Sequence, residues 1–241
     1  MRGGWEWLWA GLLALGALGA QDHSPQPLLP EGYRLLYAQD FEGPESLKDF
    51  EFTDPDRWRW ARRDGNGVLE CLGRGKYEPK VRSPYIIGLL SHRRFGDFIL
   101  EADLLQTGRE YGHRDMCLFF GFQGPTRYYY VHLASKADPN AHNLFIVNDA
   151  PRRNFAQKTT SGVRWGEGVW HRVRLERRLA DGSIRVFFDD MKEPIIVGQD
   201  KTFDWGLIGF GSFDDSGIVD NIKIWGPEVQ EEKRTFFGRK E

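Results

Sequence analysis

Along Arg127–Ser135, RYYYVHLAS, apolar and polar side chains alternate with a period of two. An extended chain with that period puts Tyr129, Val131 and Leu133 on one face and Tyr128, Tyr130 and His132 on the other. The preceding run, DMCLFFGF, has Met116, Leu118, Phe120 and Phe122 as its core set and leaves Asp115, Cys117, Phe119 and Gly121 opposite. In WHRVRLERR the inward set is His171, Val173 and Leu175, so Trp170, Arg172, Arg174 and Glu176 point outward. Turn punctuation separates such runs along the chain: Asp64-Gly65-Asn66-Gly67 and Ala180-Asp181-Gly182-Ser183 each predict a hairpin, and Gln123–Thr126 joins the first two runs. Helical periodicity is nearly absent apart from a turn around Glu45–Phe50. Roughly ten to twelve short strands predict an all-β chain folded as two packed sheets or a closed barrel, because each sheet must bury one face.

The ends read differently. Residues 1–20 have a basic start at Arg2, an apolar segment from Leu8 to Leu18 and small residues at Ala17, Gly19 and Ala20, the pattern of a signal peptide. The expectation is a secreted or periplasmic protein, with no membrane contact beyond that segment. Residues 21–32 carry prolines and polar groups and read as a linker, 33–226 as the β-sandwich, and 227–241 as a charged, frayed tail in which Phe236-Phe237 is the pair able to dock. The formal net charge of −2 over 241 residues, with signs interspersed, lacks the basic field nucleic-acid binding requires. Cys71 and Cys117 match no zinc spacing, and the sequence leaves open whether they pair or stay as buried thiols.

These face assignments gather Tyr128, Tyr130, His132, Asp115, Arg114, Asn148, Arg172 and Arg174 as candidates for one sheet surface. Flat rings cover the C–H face of a sugar while charged and amide groups bond its hydroxyls, so the expectation is a glycan or oligosaccharide ligand. The competing reading is a solvated face on which Arg172, Arg174 and Glu176 form cross-strand ion pairs. Glycoside hydrolysis by paired carboxylates gains little support, since Glu101-Ala102-Asp103-Leu104-Leu105-Gln106 ends in an amide that neither protonates nor attacks.

GLLSHRRFGDFILEADLLQTG, Gly88–Gly108, resembles a strand opening of the 3-keto-disaccharide hydrolase domains, and VWHRVRLERR, GSIRVFFDD, WGLIGFGSF and VDNIKIWG are similar to that family's closing strands. The resemblance covers about Leu35 to Gly226 and implies a two-sheet antiparallel jelly-roll sandwich of the concanavalin A-like lectin/glucanase type. It implies cleavage of a 3-keto sugar, with His132 as base and Asp115 and Arg114 beside it to hold developing charge. It also implies a structural calcium where first and last strands meet, with Asp40, Glu42 and Asp220 as ligands. Where the family has an Asn-Ser-Gly strand followed by a Gly-Tyr-Glu strand, this chain has HRDMCLFFGF and TRYYYVHLA, so the acidic position after the tyrosine is missing. The residues alone favour a carbohydrate-binding domain. A glycoside-cleaving enzyme and a cell-surface protein-interaction domain are the alternatives.

Overall fold

In the computed structural model, which describes residues 27–240, Asp64 and Gly65 have φ of 53° and 87°. Positive φ at both central positions is the geometry of a tight hairpin turn, and only a residue tolerant of the left-handed region fits there. Arg63 accordingly pairs with Asn66, and the Ala180–Ser183 turn closes the second expected hairpin with Arg177 opposite Ile184.

The strands are β1 (Arg34–Gln39), β2 (Phe50–Phe52), β3 (Trp58–Arg63), β4 (Asn66–Cys71), β5 (Ile86–Leu90) and β6 (Arg93–Arg94). They continue with β7 (Phe98–Gln106), β8 (Asp115–Gly124), β9 (Arg127–Ala134), β10 (Asn143–Asn148), β11 (Arg153–Asn154) and β12 (Ala156–Thr159). The last are β13 (His171–Arg177), β14 (Ser183–Phe188), β15 (Ile196–Gln199), β16 (Leu207–Ser212), β17 (Gly217–Gly226) and β18 (Gln230–Glu231). A nine-stranded sheet has the order β12-β15-β14-β13-β7-β17-β4-β3 with β1 also on β17, and a seven-stranded sheet has the order β11-β10-β9-β8-β16-β5-β2. All their pairings are antiparallel. The two sheets pack face to face as a sandwich, and a short 3-10 turn spans Pro44–Asp49, where the sequence suggested one.

Between the sheets lies a core that includes Trp58, Leu100, Leu118, Phe120, Tyr129, Val131, Leu133, Val173, Leu175 and Ile224. The two-residue alternation through β9 and β13 is therefore the one the sequence pattern predicts. It breaks once, in β8. Gly121 adopts φ 58° and the β8–β9 register shifts between Phe120 and Gly124, so the bulge turns Phe122 to the opposite face from Met116, Leu118 and Phe120.

Cys71 and Cys117 are both buried and free, so they do not pair. Among the described residues no helix is long and apolar enough to cross a membrane. The expected signal peptide and most of the linker lie outside the described residues.

Candidate functional site

The outer face of the seven-stranded sheet is not open. Tyr128 and Tyr130 are buried together with Phe119, Phe122, Phe145, Val147, Ile87, Leu89 and Leu207 in a second apolar cluster, covered by Val81, Phe236 and Phe237. Tyr130 stacks on Phe145 with ring centroids 5.0 Å apart, and Tyr128 stacks on Phe122 at the same distance. The Arg152 guanidinium donates to the Tyr130 hydroxyl at 2.6 Å and lies over the rings of Phe145 and Phe213. The expected sugar platform of Tyr128 and Tyr130 is thus corrected. Their parity is as predicted, but loops and the tail take the place of solvent. The tail is docked, not frayed: the buried Glu51 carboxylate accepts hydrogen bonds from the backbone N–H groups of Phe236 and Phe237, and Gly238 O accepts one from Phe52 N–H.

Beyond the tail's reach, at the end of that face, a cavity of about 150 Å³ is lined by Arg82, Tyr111, His113, His132, Arg152, Phe213 and Asp214. That is room for about five water molecules. His132 forms its floor with 2% exposure, and its Nε2 is 3.2 Å from Asp115 Oδ2. Asp115 is fully buried and accepts from Ser212 Oγ at 2.8 Å, Phe213 N–H at 3.0 Å and the Cys117 thiol at 3.1 Å. Burial alone would raise its pKa, but the neighbouring His132 and the donated hydrogen bonds hold it below the ordinary carboxylate value. Next to it, Asp215 accepts from the Tyr111 hydroxyl and from Asp115 N–H, and burial with the Asp115 charge pushes it up to about 6. Asp214 is shifted upward by burial and by the charge on Asp115. Burial, then the same carboxylate, keeps the Cys117 thiol protonated. Carboxylates with pKa values driven apart beside an imidazole in a cleft mark a candidate site on physical grounds.

Other predicted residues lie elsewhere. Arg172 and Arg174 are on β13 of the opposite sheet, where both pair with the buried Glu101 at 3.0 and 2.5 Å, the cross-strand arrangement of the competing reading. Arg114, 4% exposed, donates to Gln106 and Glu110 and lines a separate cavity with Arg63 and Arg109. Asn148 is exposed at the end of β10, 3.3 Å from Arg127. Asp220 is held by Asn66 Nδ2 at 2.6 Å and its neighbour's N–H, Glu42 accepts from Gly67 N–H, and Asp40 from Glu42 N–H. Asp40 and Glu42 are near enough to help raise the Asp220 pKa to about 7, after burial and Asp103. The three carboxylates are not drawn into one coordination sphere: among the described residues, the groups with three ligand atoms mutually within 4.8 Å are Asp115–Cys117–His132 and Asp115–Asp214–Asp215.

The pattern reading missed Arg82, Tyr111, Arg152 and Phe213, which sit on loops where no periodicity marks a face. In the sequence, Asp214-Asp215-Ser216-Gly217 concentrates oxygen ligands but has ordinary turn composition.

The sequence matches no family model and no curated protein. The fold is nevertheless shared. A carbohydrate-binding module, CBM66 from Bacillus subtilis, superposes with a TM-score of 0.52 and 15% identity over 74% of this chain and 96% of its own. The winged bean acidic lectin, solved with methyl-alpha-D-galactose, does so with a TM-score of 0.51 and 11% identity over 83% of this chain and all of its own. The protein has the concanavalin A-like lectin/glucanase jelly-roll fold, and its structural neighbours include carbohydrate-binding modules and lectins.

Proposed function

We propose that the protein binds a glycan or sugar-derived ligand in the His132 cavity, not across an open sheet. The observation that carries this is the lining of that cavity: the rings of Tyr111 and Phe213, the guanidinium groups of Arg82 and Arg152, two imidazoles and the Asp214 carboxylate converge on 150 Å³. A saccharide unit needs such a mixture, rings for its C–H face and charged donors and acceptors for its hydroxyls. The fold's occurrence in carbohydrate-binding modules and lectins supports the same reading by analogy. Calorimetric titration against a panel of oligosaccharides and 3-keto-glycosides tests it. Arg82 and His113 are exposed, so Arg82→Ala and His113→Ala leave the fold intact and each weakens binding about tenfold, the loss of one or two hydrogen bonds. A panel without a binder, or affinities indifferent to both changes, rejects the reading.

A second reading, cleavage of 3-keto-glycosides as in the family the sequence resembles, rests on the position of His132 at the cavity floor 3.2 Å from Asp115, where an imidazole can take a proton next to a carbonyl. It requires turnover that disappears in His132→Gln. Binding without turnover leaves the first reading alone.

A further inference from the structure

Cys117 on β8 and His132 on β9 are direct cross-strand partners, and Asp115 lies two residues along β8 on the same face. The carboxylate, thiol and imidazole each offer one atom mutually within 4.8 Å, with Sγ–Oδ2 at 3.1 Å and Nε2–Oδ2 at 3.2 Å. Tetrahedral zinc, with bonds of about 2.0–2.3 Å, sets its ligand atoms about 3.3–3.6 Å apart, and the Sγ–Oδ2 and Nε2–Oδ2 separations are close to that spacing.

The histidine is oriented for the task. Its Nδ1 is 3.2 Å from the Asn140 carbonyl oxygen, an acceptor only, so Nδ1 carries a proton and Nε2 is the nitrogen turned to Asp115. Nε2 is buried and has no hydrogen-bond partner of acceptable geometry, although an Asp115 oxygen lies at ion-pair distance. A carboxylate oxygen and an imidazole nitrogen facing each other at 2% exposure need a shared cation between them, a proton or a metal ion. A backbone carbonyl fixing the remote nitrogen of the ring is the usual support of a metal-bound histidine.

We propose that Asp115, Cys117 and His132 bind one divalent transition-metal ion of the zinc class, with the fourth position facing the cavity that His132 floors. Binding breaks the Cys117 S–H bond, forms a metal–sulfur bond and releases the proton to solvent. The cavity is the entry path, with Asp214 at its lining and Asp215 within reach of the same Asp115 carboxylate. This inference does not depend on a glycan ligand and is tested with metal alone.

The full chain, stripped with chelator, is titrated with Zn²⁺ and with Co²⁺ and desalted. One equivalent is retained, zinc raises the melting temperature, and cobalt produces a thiolate charge-transfer band in the near ultraviolet. Cys117→Ser abolishes the band and weakens retention at least tenfold, whereas Cys71→Ser, the other buried thiol, leaves both unchanged. If Cys117→Ser does not fold, the wild-type band and melting shift, with His132→Gln as second variant, decide the matter. Absence of stoichiometric retention in the wild type, or a band that survives Cys117→Ser, overturns the site and leaves a protonated His132 paired with Asp115.

Discussion

The outer faces of the two sheets are built from the same kind of alternating strand and end in opposite conditions. On the nine-stranded sheet the outward residues of β13 and its neighbours, Arg172, Arg174, Glu176 and Arg185, pair with one another and with Glu101 across the strands. On the seven-stranded sheet the outward residues of β9 are rings and an imidazole, and they are sealed. Charge can remain beside water with its partners in register. Large rings cannot, and the chain supplies the loop containing Val81 and the pair Phe236-Phe237 to cover them. What a strand's second face does is therefore decided by segments distant in sequence, not by its own alternation.

The sharpest way to break this contrast is to remove the cover. Truncation before Phe236 deletes two half-buried rings that meet Phe122 edge-on and the donors to the buried Glu51 carboxylate. Half-burial of two phenylalanines contributes about 3 kcal/mol, and a carboxylate stripped of its donors adds about 1 kcal/mol, so the expected loss is about 4 kcal/mol. Urea denaturation measures it, and binding of an apolar dye to the uncovered rings should rise in parallel. An unchanged midpoint would mean the tail contributes no cover.

This explains how much was legible beforehand. The strands, three turns and the core parity of Tyr129, Val131 and Leu133 are local properties, set by a period of two and by turn residues such as Gly65, and the sequence displays them. The bulge at Gly121 is local too, but a lone glycine in a strand does not announce which way the register slips. The pairing of His132 with Asp115 followed from register across β8 and β9. The separation of Arg172 and Arg174 from the tyrosines did not, because alternation assigns a face without assigning a sheet. Arg82, Arg152 and Phe213 reach the cavity through loop conformations that depend on the finished packing.

The two sheets also differ in the sign of their response to pH. At the start of β10 in the covered sheet, His142 is fully buried, donates or accepts at Thr160 Oγ1 through Nε2, and is pushed down to about 4 by burial and then by the His132 charge. Its folded pKa lies below the unfolded value of about 6.5, so the unfolded chain takes up the proton first; stability is intact above pH 6.5 and falls as pH drops toward 4, by up to about 3 kcal/mol. On β17 of the ionic sheet Asp220 is raised to about 7 by burial, Asp103, Asp40 and Glu42. Its folded pKa lies above the unfolded value, so its contribution is present in acid and is lost as pH rises from about 4 through 7. With Asp220 buried, that loss is about 4 kcal/mol. Melting curves between pH 4 and 8 should show His142→Gln flattening the acid limb and Asp220→Asn raising stability at pH 8 with little effect at pH 4. Identical pH profiles for wild type and both variants would remove the distinction.

The smallest effect belongs to the exposed ion pairs, and its smallness is what the comparison requires. Arg185 donates to Glu176 Oε2 through Nε at 2.9 Å and through Nη2 at 2.5 Å, directly across the β13–β14 register. Its side chain is 52% exposed, so water already solvates the guanidinium and little is gained by the pairing. Arg185→Ala should cost about 0.5 kcal/mol, as exposed pairs do, and still less in high salt, which screens them. Urea midpoints measured with and without salt decide it. If the change costs as much as uncovering the opposite face, the ionic ladder is a structural core in its own right, and the distinction between a wetted and a sealed sheet gives way.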